Sequence, residues 1–231
     1  MNKLWIFGDS FSEPFSKLSK IRNWKDSYLE WKGYIPKSYG EIVSEKFSLI
    51  HKNESLGGAD NYTILDIVCH NLNKIQKNDI VIVGWSDTLR FRIASNENSF
   101  KTIRAGDLKN PLNKKELNHY IDLSDNTLEE ILINRDNLVY INELNNYIQL
   151  LNHLFKENKI IHWSPFRLYK KGLNTTLKSD LFYESIKIET NNAIDDKHFS
   201  ENGHLLLANE LIDIINQYDF YKKNNDTKSF L

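Results

Sequence analysis

The sequence has one cysteine, 9 glycines and 4 prolines, and it contains no long hydrophobic run. A single cysteine, Cys69, excludes a disulfide bond within the chain. No apolar stretch approaches the roughly 20 residues that a transmembrane helix needs. The first residues, MNKLWIFGDS, lack the apolar core and the cleavage site of a signal peptide. We therefore predict a soluble protein located in the cytoplasm.

An excess of one charge is also lacking, because 30 Lys and Arg residues oppose 31 Asp and Glu residues and the formal net charge is −1. A chain with no strong overall field is not drawn to nucleic acid or to an anionic membrane surface, and we predict neither as a partner. The histidines show no metal-ligand spacing, so we expect no metal and no cofactor. The sequence leaves the oligomeric state open.

What the chain does contain is an alternation of short β-rich runs with longer helical patterns. The β-rich runs predict strands at residues 3–7, 48–52, 79–84, 159–163 and 185–188. Apolar residues at helical spacing predict helices at residues 39–47, 60–75, 137–156 and 201–218. The run DIVIVG is almost entirely apolar, as a central strand covered on both faces requires. The pattern therefore predicts an α/β fold around a parallel sheet.

The length of 231 residues fits one domain, which we place at residues 1–221. Two connections, residues 11–37 and 88–135, are longer than a compact domain of this pattern needs. Connections of that length are usually functional or contain small elements of their own. Residues 222–231 are predicted to be a polar tail.

A serine follows the first predicted strand directly, in the run Phe7-Gly8-Asp9-Ser10. Ligands bind at the carboxyl ends of the strands in parallel sheets, so Ser10 is predicted to lie where chemistry usually takes place. The preceding glycine permits a sharp turn. A serine hydroxyl is a poor nucleophile and needs a base within hydrogen-bond reach.

The candidate base lies near the other end of the chain, in Asp195-Asp196-Lys197-His198. An aspartate three residues before a histidine can turn back and accept the Nδ1 proton, which leaves Nε2 free to face a serine. The segment precedes the last predicted helix, so it forms a loop that can lie over the edge of the sheet.

A third segment, Asn53 to Asn61 (NESLGGADN), follows the second predicted strand. A glycine-rich turn at the start of a helix presents backbone N–H groups to an anion. Acyl transfer needs such donors for the oxyanion of its tetrahedral intermediate.

These three segments, in their order along the chain, resemble the conserved blocks of the SGNH (GDSL-like) hydrolases. The resemblance covers residues 3–210, and the two long connections match nothing in the family pattern. It implies a three-layer α/β/α sandwich with a central parallel sheet of five strands, as in flavodoxin-like folds. It also implies a catalytic triad of Ser10, Asp195 and His198, with oxyanion N–H donors at Ser10 and Gly58. The implied activity is hydrolysis of a carboxylic ester.

One block departs from the family pattern, which has Gly-x-Asn-Asp after the third strand and uses the Asn amide as a third oxyanion donor. This chain has Gly84-Trp85-Ser86-Asp87 instead. We predict that the Ser86 hydroxyl takes the place of that amide. Asn61 is the alternative donor.

Four residues in or beside these blocks are predicted to contact the substrate: Asp9, Asn61, Trp85 and Trp163. The two tryptophans end the third and fourth predicted strands, so either could line the wall of the pocket. Three arginines also follow strands and could bind a carboxylate or phosphate, although we favour an ion-paired or solvated role for them: Arg90, Arg92 and Arg167. No apolar lid segment is apparent, which favours a small-molecule or glycan ester, such as an O-acylated carbohydrate, over a lipid.

Other interpretations stay open at this point. The missing Asn and the long connections are compatible with an inactive binding or assembly protein on the same scaffold. A nucleophile of this kind can also transfer its acyl group to an alcohol other than water. The turn after the first strand could instead bind phosphate, as in flavodoxin-like domains, but this would leave the Asp-x-x-His segment unexplained.

Overall fold

The computed structural model describes residues 1–17, 24–88, 90–94, 100–104, 137–178 and 198–228. The strands are β1 (Lys3–Phe7), β2 (Ile50–Asn53), β3 (Ile80–Gly84), β4 (Arg90–Ala94), β5 (Phe100–Arg104) and β6 (Lys159–Trp163). The α-helices are α1 (Trp24–Lys32), α2 (Tyr39–Lys46), α3 (Asn61–Asn71), α4 (Asn137–Leu154) and α5 (Glu201–Lys228). No helix within these ranges has both the length and the apolar character needed to cross a bilayer.

Four strands form a parallel sheet in the order β2-β1-β3-β6. In the register of this sheet, Leu4 lies beside Ile80 and Ile80 lies beside Lys159. All four strands run the same way, so the turns that follow β1, β2, β3 and β6 meet at one edge. The predicted α/β fold is confirmed, with four parallel strands in the described part of the chain. The fifth strand predicted at residues 185–188 lies outside the described residues.

Helices cover both faces of the sheet, because successive side chains of a strand point to opposite faces. Leu4 and Ile6 of β1 pack with residues of α2 and α5 on one face. Trp5 and Phe7 pack with residues of α3 and α4 on the other. The three-layer arrangement therefore follows from the inner strands β1 and β3, which present apolar side chains to both faces of the sheet.

Helix α3 begins at Asn61, directly after Asp60, and α5 runs beyond its predicted end. Asp60 caps α3, and its carboxylate accepts a hydrogen bond from the Thr63 N–H at 2.6 Å. Helix α5 continues to Lys228, through most of the predicted polar tail, because no glycine or proline interrupts residues 219–228. The two long connections contain α1 and the antiparallel pair β4–β5, respectively.

Two buried histidines make the stability of the fold sensitive to acid. Burial lowers the pKa of both His162 and His204 from the ordinary value of 6.5 to about 3. His162 Nδ1 accepts from the Trp85 indole at 3.2 Å, and His204 Nδ1 accepts from the Tyr39 N–H at 3.2 Å. Both rings are therefore held in the neutral form.

We expect the free energy of unfolding to decrease as the pH falls from 7 to 5. In that range the unfolded chain binds protons that the folded chain does not, which should cost roughly 2 kcal/mol for each histidine. Urea denaturation at pH 7, 6 and 5 measures the decrease. In His162→Asn, which keeps an acceptor for the indole, the decrease should be about half as large; an unchanged pH dependence would contradict the assignment.

Candidate active site

Ser10 lies in a tight turn at the carboxyl end of β1. The Ser12 N–H donates to the Asp9 carbonyl at 2.9 Å, and the Phe11 N–H donates to Asp9 Oδ1 at 3.0 Å. A side chain at Gly8 would place its Cβ 2.9 Å from the carbonyl oxygen of Gly84, so the turn requires glycine there. Ser10 itself is half-buried between two buried neighbours.

His198 meets this serine across 188 residues of sequence, with 2.6 Å between His198 Nε2 and Ser10 Oγ. The Phe11 ring stacks on the imidazole with ring centroids 4.6 Å apart and planes 25° apart. Phe11 in turn packs edge-on against Phe166 and Phe199. The imidazole is thus held by its flat face, and its Nε2 is within reach of the serine proton.

The remaining member of the predicted triad, Asp195, lies outside the described residues. Its role at Nδ1 of His198 stays a prediction.

The glycine-rich turn after β2 lies against the Ser10 turn. The Leu56 N–H donates to the Gly8 carbonyl at 2.9 Å, and the Gly57 N–H donates to Glu13 Oε1 at 2.9 Å. Gly58 has a φ of +81°, a conformation that favours glycine. Within the part of the chain that the structure describes, the N–H groups of Ser10 and Gly58 donate no hydrogen bond.

Ser86 does not face the site as predicted. It is completely buried, and its hydroxyl donates to Asp9 Oδ2 at 2.8 Å. The Asn61 side chain is also engaged: its Nδ2 donates to the Ser86 carbonyl at 3.1 Å, and its Oδ1 accepts from the Ser86 N–H at 2.7 Å. The two residues join the end of β3 to the start of α3.

Asp9 is buried with 1% of its surface exposed, so it has no face to offer a substrate. Besides Ser86, its Oδ2 contacts Arg90 Nη1 at 3.2 Å. Burial raises the pKa of Asp9, and the guanidinium opposes that rise. The predicted substrate contact is replaced by a buried network that holds the turn below Ser10.

Trp85 and Trp163 also differ from prediction, because both are completely buried. The Trp85 indole is directed to His162, while Trp163 packs edge-on against Tyr39 with ring centroids 5.4 Å apart. Neither indole lines an open wall; both belong to the packed layers behind the site.

Sequence reasoning missed two residues that shape this site. Glu13 reaches across to the Gly57 N–H and pairs with Lys17 Nζ at 3.0 Å. Phe11 orients His198. No local pattern indicates these two roles, because Gly57 lies 44 positions from Glu13 and His198 lies near the other end of the chain from Phe11.

No protein-family model and no curated protein sequence matches the chain. The solved structures that are similar to it include two esterase-type proteins. One is a carbohydrate esterase whose active site displays divergent catalytic and non-catalytic binding functions, with 12% identity and a TM-score of 0.42; the match covers 94% of this chain and 65% of the esterase. The other is described as a lipolytic protein of the G-D-S-L family from Desulfitobacterium hafniense, with 11% identity and a TM-score of 0.36, covering 93% and 99% of the two chains. The chain thus spans about two thirds of the length of the carbohydrate esterase.

Proposed function

We propose that this protein is a serine esterase that forms an acyl-enzyme on Ser10. The observation that carries the proposal is the 2.6 Å contact between Ser10 Oγ and His198 Nε2. A half-buried serine at the carboxyl edge of a parallel sheet, in contact with an imidazole, is the arrangement that activates a hydroxyl for attack on a carbonyl.

The proposed reaction has two halves. Ser10 Oγ attacks the ester carbonyl carbon while His198 takes its proton; the tetrahedral intermediate then expels the alcohol, which receives that proton. Water next attacks the acyl-serine with His198 as base, and the acid leaves as Ser10 regains its proton. We propose that Asp195 accepts the Nδ1 proton of His198 throughout.

The backbone N–H groups of Ser10 and Gly58, which donate no hydrogen bond within the described part of the chain, support this mechanism. They belong to the two turns that meet at the site, where an oxyanion needs donors. We propose that they donate to the oxyanion. The substrate class that we propose is an O-acylated carbohydrate or another small ester, since the sequence offers no apolar lid.

A fluorophosphonate probe tests the proposal, because it reacts covalently only with an activated serine. Tryptic digestion should place the label on the peptide from Leu4 to Lys17, which contains three serines, Ser10, Ser12 and Ser16. Fragmentation should then locate it on Ser10. A chain that stays unlabelled and leaves small esters intact would favour a binding or assembly role instead.

We expect Glu13→Ala to lower kcat by about tenfold with little change in KM, because the Gly57-Gly58 turn loses the carboxylate that fixes it and oxyanion donors act only when well placed. Glu13→Gln keeps an acceptor at the same atom and should retain most of the activity. Steady-state kinetics with an aryl acetate measures both variants. Equal activity of Glu13→Ala and the unmodified protein would show that the turn holds its shape without Glu13.

A further inference from the structure

Arg90 lies between the two turns that carry the proposed oxyanion donors. Its Nη1 is 3.2 Å from Asp9 Oδ2 and 3.3 Å from the Ala59 carbonyl oxygen. Asp9 is the chain neighbour of Ser10, and Ala59 is the chain neighbour of Gly58. The guanidinium therefore bridges the residues next to both donors.

We propose that Arg90 supplies the third hydrogen bond to the oxyanion. The inference rests on the proposed esterase function and names the group that replaces the Asn amide missing after β3. The guanidinium donates from Nε or Nη2 to the oxygen that becomes negative when Ser10 attacks. No bond of Arg90 forms or breaks, and it keeps all its protons.

The other candidate donors are already engaged. The Ser86 hydroxyl is buried and donates to Asp9, and the Asn61 amide donates to the backbone carbonyl of Ser86. In contrast, Nη1 makes all the side-chain hydrogen bonds of Arg90 within the described part of the chain, which leaves Nε and Nη2 as donors. The side chain is 13% exposed, so the fold does not enclose it completely.

The charge balance favours an oxyanion over a permanently anionic substrate. Asp9 is buried against the guanidinium and offsets its charge before any substrate binds. The ion pair of Arg90 and Asp9 exerts little long-range attraction on an anion. The N–H groups of the guanidinium are nevertheless held in place when negative charge develops nearby. Preorganised donors of this type stabilise the transition state more than the ground state.

Arg90→Ala tests the inference. We expect kcat to fall by about 10²–10³-fold with KM nearly unchanged, as for removal of one oxyanion donor. The affinity for a boronic acid, which forms a tetrahedral adduct on an active serine, should fall in parallel with kcat/KM. Added guanidinium chloride should restore part of kcat, whereas the same concentration of sodium chloride should not. A merely structural role would not produce this rescue or the parallel loss.

Arg90→Ala leaves the Asp9 carboxylate without its charged partner and can fail to fold, so Arg90→Lys is the second variant. Lysine keeps a positive charge beside Asp9 but lacks the planar set of donors. We expect Arg90→Lys to be folded by circular dichroism and thermal melting, and to lose more than tenfold in kcat.

The outcomes separate this inference from the function on which it rests. Ester turnover and Ser10 labelling in the unmodified protein, combined with kcat within twofold of normal in Arg90→Lys and Arg90→Ala, would overturn the role of Arg90 alone. An increase in KM at constant kcat would overturn it in favour of ground-state substrate binding. Absence of labelling in the unmodified protein would remove both the esterase function and the oxyanion that Arg90 is proposed to bind.

Discussion

Replacement of Ser10 by alanine is expected to lower ester turnover by at least about 10³-fold, because the reaction loses its nucleophile and the acyl-enzyme cannot form. The fold should be unaffected, since the Ser10 hydroxyl contacts only His198 within the described residues. Turnover of an aryl acetate, fluorophosphonate labelling and the melting temperature should be measured together. The expected result is loss of the first two with no change in the third.

Ser16→Ala is the matched control for this substitution. Ser16 lies in the same segment, six positions further on, and its side chain is exposed. We expect it to retain full labelling and full turnover. Labelling that persists in Ser10→Ala would remove Ser10 from its proposed role, whatever the activity of the control.

Replacement of Asp79 by alanine is expected to cost about 3–5 kcal/mol of stability, as for other removals of a partner from a buried polar network. The Asp79 carboxylate is 2% exposed and accepts from three donors. These are the Lys3 N–H at 2.8 Å, the Trp5 indole N–H at 2.9 Å and the Gln76 N–H at 3.0 Å. Alanine would leave all three without a partner, two of them at the start of β1.

Denaturation in urea measures this loss, and Asp213→Ala serves as the control. Asp213 is an exposed aspartate on α5, and its replacement should change the free energy of unfolding by less than about 0.5 kcal/mol. Asp79→Asn, which keeps one acceptor oxygen, should fall between the two. Similar stabilities of Asp79→Ala and Asp213→Ala would show that water satisfies the donors of β1.

Much of the fold could be predicted from local patterns. The bounds of β1 and β6 are those that the sequence predicts, and the apolar run of β3 does lie inside the sheet. Asp60 caps α3 because its carboxylate reaches an N–H three residues ahead. Each of these features depends on neighbours within a few positions, which a single sequence displays directly.

The candidate site was predicted less completely. The contact between Ser10 and His198 could be expected, because each residue follows or precedes an element whose position in an α/β fold is fixed. The directions of Ser86, Trp85 and Trp163 could not be predicted, because a residue at or just after the end of a strand can turn either to the open edge or into the layers behind it. That choice depends on partners far along the chain, such as Asp9 for Ser86 at a separation of 77 positions.

The sequence by itself determined the alternation of strands and helices, the parallel sheet and the two residues whose contact carries the proposed chemistry. Only the tertiary structure decided which polar groups form hydrogen bonds within the fold and which remain able to donate to a ligand. Ser86 and Asn61 are used to join β3 to α3, whereas Arg90 is brought between the turns of Ser10 and Gly58. The physical reason is that each polar group can form only a few hydrogen bonds. Packing across the sheet determines which partners use those bonds and which donors stay available.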